Sequence, residues 1–234
     1  HRHPGTQKAR LFQGIALQGL GMTIFSEFRL LRYNQYRAKH IGVATEWLRW
    51  QGFSLSYALM DREFYRAALV KELKSRHLPV IIPAKKYQFV VHELNRFLHG
   101  SRPLVSSYLF QQTQGAKPWP SAVHLHLALI GHNNRSALEI RRAYRQGQLS
   151  LDDALHNLAG FFTTLPPRKN YARWCRWLAR TYKKRWCQET AFRMLNEIHP
   201  SFRNRYPTVQ LAQMYLRGII YNQWQTFLKR YANS

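Results

Sequence analysis

Strand-like and helix-like segments alternate along the first third of the chain, and this order limits the fold more than any other feature of the sequence. The first apolar stretch is divided by Gly19 and Gly21, which supply a turn between two strands. A helix-periodic segment follows, then a strand-like run, a second helical segment and a short β-branched run. This order predicts an α/β or α+β sheet. In chain order the segments are residues 10–31, 37–51, 53–60, 62–77 and 78–83.

The rest of the chain continues the mixed pattern and then becomes helical. Residues 121–132 alternate apolar and polar side chains, as a half-buried strand does. Two helical patterns meet at Gln146-Gly147-Gln148, and a later apolar run ends at a pair of prolines. In chain order we predict a helix at 86–100, a strand at 121–132, two helices within 135–158, a strand at 158–167, and helices from 169 onward with a break around 199–207.

The chain is strongly basic. It carries 36 Lys and Arg residues against 11 Asp and Glu residues, which gives a formal net charge of +25. Its hydrophobic fraction of 45% is enough to build a core, so wholesale disorder is excluded. The basic residues are interleaved with aromatic ones, as at 171–186, and do not form one tail-like block. The charge favours a polyanionic partner, above all nucleic acid, and the alternative is a solvated basic surface.

Few residues of the chain suit a soft metal or a disulfide framework. Cys175 and Cys187 are the two cysteines, too few for a disulfide framework or a zinc quartet, and they indicate a reducing compartment. His124 and His126 alternate on one face of a predicted strand, but no third ligand is evident, so a structural role is favoured over zinc binding. No apolar run is long enough to span a membrane and no secretory signal is visible, so we expect a cytoplasmic protein.

The segment Tyr182 to Glu189 concentrates chemistry that is rare elsewhere in the chain. If the segment is helical, Tyr182, Arg185 and Glu189 share one face, because they stand at i, i+3 and i+7. A carboxylate beside a guanidinium and a phenol suits a site that holds a metal and a phosphate together. The alternative is an amphipathic helix whose glutamate pairs with a neighbouring arginine, and the segment alone favours that alternative.

Asp61 is the second carboxylate in a position that suits chemistry. It comes directly after a strand-like run and before a helical one, and ligands in open α/β sheets gather at the carboxyl ends of strands. The alternative is a helix N-cap, with Glu63 and Glu72 as ordinary helix acids. Taken alone, the position of Asp61 favours the cap.

Together these elements resemble the DDE transposases of bacterial and archaeal insertion sequences, whose third acid lies in a helix patterned Y-x2-R-x3-E-x6-K. Tyr182, Arg185 and Glu189 match that pattern in type and spacing, and Asp61-Arg62-Glu63-Phe64 matches the surroundings of the second aspartate. The resemblance extends to the runs at 78–86, 161–166 and 216–224.

The resemblance implies an α/β fold with an RNase H-like mixed sheet flanked by helices, and with an insertion before the last acidic helix. The domain boundaries that we predict are an RNase H-like first part at 1–100, an insertion at 101–160 and a helical completion at 161–234. The implied activity is metal-dependent phosphodiester hydrolysis and strand transfer at transposon ends, by a homodimer in a synaptic complex on double-stranded DNA. The alternative function is a non-catalytic basic nucleic-acid-binding protein.

The resemblance also assigns roles to individual residues. Asp61 and Glu189 become catalytic ligands of two Mg²⁺ or Mn²⁺ ions, so their carboxyl groups are expected to lie within about 12 Å of one another. A phosphate near the scissile bond is expected to be held chiefly by Tyr182 and Arg185. The full set of predicted DNA- or phosphate-binding residues is Tyr182, Lys183, Arg185, Trp186 and Arg193.

The sequence departs from the family pattern at two places. The family lysine falls on Asn196, so Arg193, four residues after Glu189, is expected to supply the missing charge. The first catalytic aspartate of the family precedes the hairpin, but no acid of this chain precedes Glu27. We therefore expect an N-terminally truncated or degraded copy that does not cleave DNA by itself, unless Glu27 serves as the third ligand.

Overall fold

The computed structural model divides the chain into two compact units. One is Ala38–Lys183 and the other combines His1–Arg37 with Lys184–Ser234. The structure describes residues 11–19, 22–31, 37–114, 117–132, 135–197 and 206–232, although some side chains inside these ranges are not described. None of the helices in this described part is both long and apolar enough to cross a membrane.

Most of the described elements follow the predicted alternation, but the strand at Val105–Gln114 was not predicted. The strands are β1 (Leu11–Gly19), β2 (Met22–Leu31), β3 (Ala58–Leu59), β4 (Val80–Pro83), β5 (Val105–Gln114), β6 (Lys117–Gly131) and β7 (Leu158–Thr163). The helices are α1 (Arg37–Trp50), α2 (Ala67–Ser75), α3 (Gln88–Leu98), α4 (Ala137–Arg145), α5 (Leu151–His156), α6 (Tyr171–Lys183), α7 (Arg185–Glu197) and α8 (Pro207–Ala232), with a 3₁₀ turn at Arg62–Phe64.

A mixed five-stranded sheet forms the centre of the unit Ala38–Lys183. Its strand order is β3-β4-β7-β6-β5, with β3 and β4 parallel and the other neighbours antiparallel. The α/β class with helices flanking a mixed sheet is therefore confirmed. The segment 101–160, predicted as an insertion, contributes β5, β6 and the start of β7 to the sheet that also contains β3.

The core of this unit explains why its strands form where they do. Val80, Ile81 and Ile82 of β4 are all fully buried, as expected of a continuous apolar run in an interior strand. Phe161 and Phe162 of β7 are neighbours on a strand and so point to opposite faces of the sheet. The ring centroid of Phe162 lies 4.9 Å from that of Tyr65, whereas Phe161 lies 5.1 Å from Tyr182.

Two predicted elements are shorter than their patterns indicated. The strand expected at 53–60 is ordered as a strand only at Ala58–Leu59, because only these residues pair with β4. The helix expected at 62–77 begins as the 3₁₀ turn and continues as α2 from Ala67, after a break at Tyr65 and Arg66. β1 ends at Gly19 and β2 begins at Met22, and the two residues between them, on which the expected turn falls, lie outside the described residues.

The β1–β2 hairpin contains a bulge that breaks its simple alternation. Phe25 pairs with Ala16, and Glu27 pairs with Ile15, so Ser26 is the extra residue on β2. The Ser26 hydroxyl donates a hydrogen bond to the carbonyl oxygen of Ile15 at 3.0 Å. Strict alternation would place Phe25 and Phe28 on opposite faces of β2, and the extra residue removes that constraint.

Both phenylalanines instead join the core of the second unit. Phe25 and Phe28 are buried, and their rings stack with centroids 5.2 Å apart. Tyr221 of α8 packs edge-on against Phe25 at 5.5 Å. The Asn222 side chain accepts a hydrogen bond from the Phe25 amide and donates one to its carbonyl, at 2.9 Å and 2.8 Å. Asn222 thereby pairs with the backbone of β2 as a neighbouring strand would.

The helical region after residue 169 contains a break that the sequence pattern did not indicate. α6 ends at Lys183, α7 begins at Arg185, and Lys184 lies in the turn between them. One continuous helix was the premise for placing Tyr182, Arg185 and Glu189 on a shared face. That premise was wrong: Tyr182 belongs to α6, whereas Arg185 and Glu189 belong to α7.

Candidate functional site

Asp61 stands at the carboxyl end of the parallel pair β3–β4. Its backbone carbonyl accepts a hydrogen bond from the Phe64 amide at 2.9 Å, but its carboxylate makes no capping hydrogen bond to the 3₁₀ turn. Asp61 is half-buried. The cap interpretation therefore does not account for the carboxylate, and the strand-end position is the one where α/β sheets place ligands.

Tyr182 packs beside the same strand end. Its hydroxyl donates a hydrogen bond to the carbonyl oxygen of Met60 at 3.2 Å, and Met60 immediately precedes Asp61. Its ring contacts Phe161 of β7. The last turn of α6 is thus held against the end of β3, and two of the predicted site elements, which are 121 positions apart, meet within one unit.

Arg185 and Glu189 form an ion pair on α7. The Arg185 Nη2 atom donates to the Glu189 Oε1 atom, and the four-residue spacing brings both side chains to one helix face. The Glu189 side chain is 48% exposed, so the pair is open to solvent. The alternative interpretation, a glutamate paired with a neighbouring arginine, describes this contact correctly.

The remaining predicted DNA-binding residues lie on α6 and α7. Lys183 is the exposed last residue of α6, and Trp186 on α7 is 67% exposed. Arg193 is exposed one helical turn beyond Glu189. The side chains of Asn196 and Glu27 lie outside the described ones.

The predicted site residues are divided between the two units. Tyr182 is joined to the strand end of Asp61 in one unit, and Arg185 to Glu189 in the other. Among the described residues, no three His, Cys, Asp or Glu side chains gather closely enough to hold a metal ion. The carboxylates are oxygen donors of the type that Mg²⁺ prefers, but neither unit assembles a complete ligand set from described side chains.

The histidine pair on β6 and the two cysteines differ in their exposure. His124 is exposed and His126 is half-buried on β6. The pKa of His126 is lowered, chiefly by burial and further by the charge of Lys74, which favours the neutral ring. Both cysteines are free thiols, Cys175 buried in α6 and Cys187 exposed on α7.

The aromatic residues of α8 were predicted to be core. Tyr221 is buried, which confirms the prediction for that residue. Phe227 is 54% exposed and packs on Tyr231 with ring centroids 4.3 Å apart, so for Phe227 the prediction was wrong. Tyr215 and Trp224 each contact a core ring, but both side chains are exposed, so for these two residues the prediction was wrong as well.

Sequence reasoning missed a row of cations on α6. Arg173, Arg176 and Arg180 are all exposed, and their spacing of i, i+3 and i+7 places them on one side of the helix. Trp174 and Leu178 between them are buried. The alternation of arginines with apolar residues in 171–180 could have indicated this row of cations, but the same alternation also fits a generally basic composition.

No protein-family model matches the chain. The curated proteins contain no match to it either.

Proposed function

We propose that this chain is the catalytic core of a DDE-type DNA transposase on an RNase H-like fold. Its substrate would be double-stranded DNA, at transposon ends and target sites. The reaction of a complete site would be phosphodiester hydrolysis and strand transfer, which we do not expect this chain to carry out by itself, because no acid precedes Glu27. The proposal includes a prokaryotic cytoplasmic location at the nucleoid and a homodimer in the synaptic complex. A net charge of +25 supports a DNA partner.

The observation that carries the proposal is the hydrogen bond from Tyr182 to Met60. Two motifs carry the resemblance: the strand-end aspartate, Asp61, and the Y-R-E element, which comprises Tyr182, Arg185 and Glu189. They are far apart in sequence. A transposase core requires that they meet at one strand end, and the tyrosine of the second motif lies beside the aspartate of the first.

The roles of the residues follow from their chemistry. Asp61 and Glu189 would hold Mg²⁺ or Mn²⁺, and Glu189 would exchange its partner Arg185 for the ion. Bound metal supplies activation of a water or 3′-hydroxyl and stabilisation of the leaving oxygen. Arg185, released from Glu189, would bind a phosphate with its planar guanidinium, assisted by Lys183, Trp186 and Arg193.

The second candidate function is a non-catalytic basic DNA-binding protein. The observation that favours it is the ion pair between Arg185 and Glu189, which satisfies the glutamate without any metal. Both candidates expect DNA binding, so a binding assay does not separate them. A test must examine the metal directly.

Iron-directed cleavage of the polypeptide tests the metal site without requiring activity. Fe²⁺ takes the place of Mg²⁺ at oxygen-rich sites, and with ascorbate and peroxide it cuts the main chain close to the ion. We expect fragments that end near residue 61 and near residue 189, and we expect excess Mg²⁺ to suppress both. The variant Asp61→Asn should lose both cuts if one site unites the two carboxylates.

The matched control is Asp152→Asn, which removes an exposed aspartate from the first turn of α5. It should leave the cleavage pattern unchanged. Scattered cleavage, or a pattern that Asp61→Asn does not alter, would contradict the transposase proposal. Intact DNA binding together with that outcome would identify the non-catalytic binder.

A further inference from the structure

The outward face of α6 carries a continuous row of positive charge, which we call the α6 stripe. It consists of Arg173, Arg176, Arg180 and Lys183, all of which are exposed. Their spacing of three, four and three residues keeps them within one side of the helix. From the first to the last, the stripe rises about 15 Å along the helix axis.

The opposite face of α6 anchors the stripe in a fixed orientation. Trp174, Cys175, Leu178 and Thr181 are buried. The helix start is capped by Asn170, whose side-chain oxygen accepts a hydrogen bond from the Arg173 amide at 3.0 Å. The stripe is therefore held on a rigid element and not on a loop, so the spacing between its charges is set by the helix.

The acids in the described part of the chain do not neutralise the stripe. None of its four residues forms an ion pair with an acid in the described part of the chain. Arg176 of the stripe acts on one acid, Glu139 at the start of α4, by lowering its pKa. The pKa of Glu139 is lowered chiefly by hydrogen bonds with Ser136 and to a lesser degree by Arg142 and Arg176.

We propose that the α6 stripe is the track for one phosphate backbone of duplex DNA, and that it leads this strand to Asp61. One DNA strand carries a regularly spaced row of phosphate charges, which the regularly spaced cations of the stripe complement. Lys183 ends the stripe next to Tyr182, whose hydroxyl contacts the residue before Asp61. This inference rests on the proposed function, and it adds the surface by which the substrate is held.

The decisive measurement is the salt dependence of binding to a random-sequence duplex, followed by fluorescence anisotropy. The stripe variant combines Arg173→Gln, Arg176→Gln and Arg180→Gln. The charge-matched control combines Lys71→Gln, Lys74→Gln and Lys85→Gln, which are exposed residues outside α6. Both variants lose three positive charges, and circular dichroism and melting temperature establish that both remain folded.

The expected result is specific to the stripe. Losing three phosphate contacts lowers the slope of log affinity against log salt by about 2.7, so the affinity lost between 50 and 200 mM salt shrinks by about 40-fold. The control variant should change the slope by less than one contact. Equal slopes for the two variants would overturn the stripe while leaving the proposed function intact. Absence of duplex binding by the unaltered chain, or binding only to anionic lipid vesicles, would overturn both.

A tethered cleavage reagent gives a second, independent test. In a Cys187→Ser background, an iron chelate attached at Arg176→Cys should cut bound duplex DNA at a defined position on one strand. The same chelate at Lys74→Cys should give little cutting. Equal cutting from both positions would overturn the assignment of the track to α6.

Discussion

The hydroxyl of Tyr182 lies 3.2 Å from the carbonyl oxygen of Met60 and donates a hydrogen bond to it. The contact fixes the last turn of α6 against the end of β3. It brings the ring of Tyr182 beside the backbone that carries Asp61. The chemistry proposed for Asp61 depends on this strand end remaining in place.

Replacing Tyr182 with phenylalanine tests how much this contact contributes. The variant keeps the ring packed on Phe161 and removes only the donor, leaving the carbonyl of Met60 without this partner. We expect the free energy of unfolding to fall by about 0.5–1.5 kcal/mol. Tyr171→Phe, at the exposed start of the same helix, is the matched control and should change it by less than about 0.5 kcal/mol. Urea unfolding measures both, and equal effects would show that the Tyr182 hydroxyl has no particular role.

Gly218 is a position where α8 approaches β2 too closely for any side chain. A Cβ atom there would lie 2.6 Å from the ring of Phe28, which is buried and stacked on Phe25 and so cannot move aside freely. Alanine gains about 1 kcal/mol in helix propensity, but overpacking costs about 1–3 kcal/mol, so we expect net destabilisation by Gly218→Ala.

The melting temperature checks this expectation. Gln223→Ala, at an exposed position of the same helix, should leave it nearly unchanged. Phe28→Leu combined with Gly218→Ala should cost less than the sum of the two single changes, because the smaller side chain makes room for the methyl group. Strict additivity would show that the close approach does not determine the effect.

Asn222 satisfies the backbone of β2 at Phe25 through both ends of its amide. Asn222→Ala removes an acceptor and a donor together, so we expect it to destabilise the chain by about 1–3 kcal/mol. Asn222→Asp keeps the acceptor but turns a carboxylate oxygen toward the Phe25 carbonyl oxygen, so it should also be less stable than the unaltered chain. Hydrogen exchange at the Phe25 amide reports the same bond directly, and unchanged protection in Asn222→Ala would contradict this assignment.

The sequence predicted the order and type of most elements because apolar periodicity reports burial, and burial here follows regular strands and helices. It did not predict the bulge at Ser26, which depends on how β1 and β2 pair and not on β2 alone. The sequence did not predict the break at Lys184 either, since Lys183-Lys184-Arg185 contains only good helix formers. The position of Asp61 at a strand end was predictable, whereas the contact of Tyr182 with Met60 joins segments that no local pattern connects.

Burial of Cys175 makes stability depend on pH in the alkaline range. Burial raises the pKa of the Cys175 thiol to about 12 from an ordinary value near 9. The folded state keeps this proton while the unfolded state releases it, so the stabilisation is present below pH 9 and is lost as the pH rises from 9 to 12. The slope contributed by this one group is at most about 1.4 kcal/mol per pH unit.

Comparison with Cys175→Ala isolates this effect from the tyrosines and lysines that titrate in the same range. The variant should be less stable at pH 8 but should lose stability more slowly between pH 9 and 10.5. Iodoacetamide provides a further check, because the native chain should be labelled at exposed Cys187 only, and at both cysteines in denaturant. Parallel pH profiles for the two proteins would contradict the assignment.

The proposed metal site requires that Asp61 and Glu189 converge, and cross-linking can measure their approach. In a Cys187→Ser background, Asp61→Cys and Glu189→Cys provide two reactive thiols, since Cys175 is buried. Carboxylates that share one or two metal ions lie within about 12 Å, so a short bismaleimide should join the pair efficiently. The matched control pairs Asp61→Cys with Glu197→Cys, because Glu197 is an exposed acid about 12 Å further along α7. We expect the control pair to need a longer reagent. If residue 189 cross-links no better than residue 197, the shared site is wrong, and Glu189 serves only as the partner of Arg185.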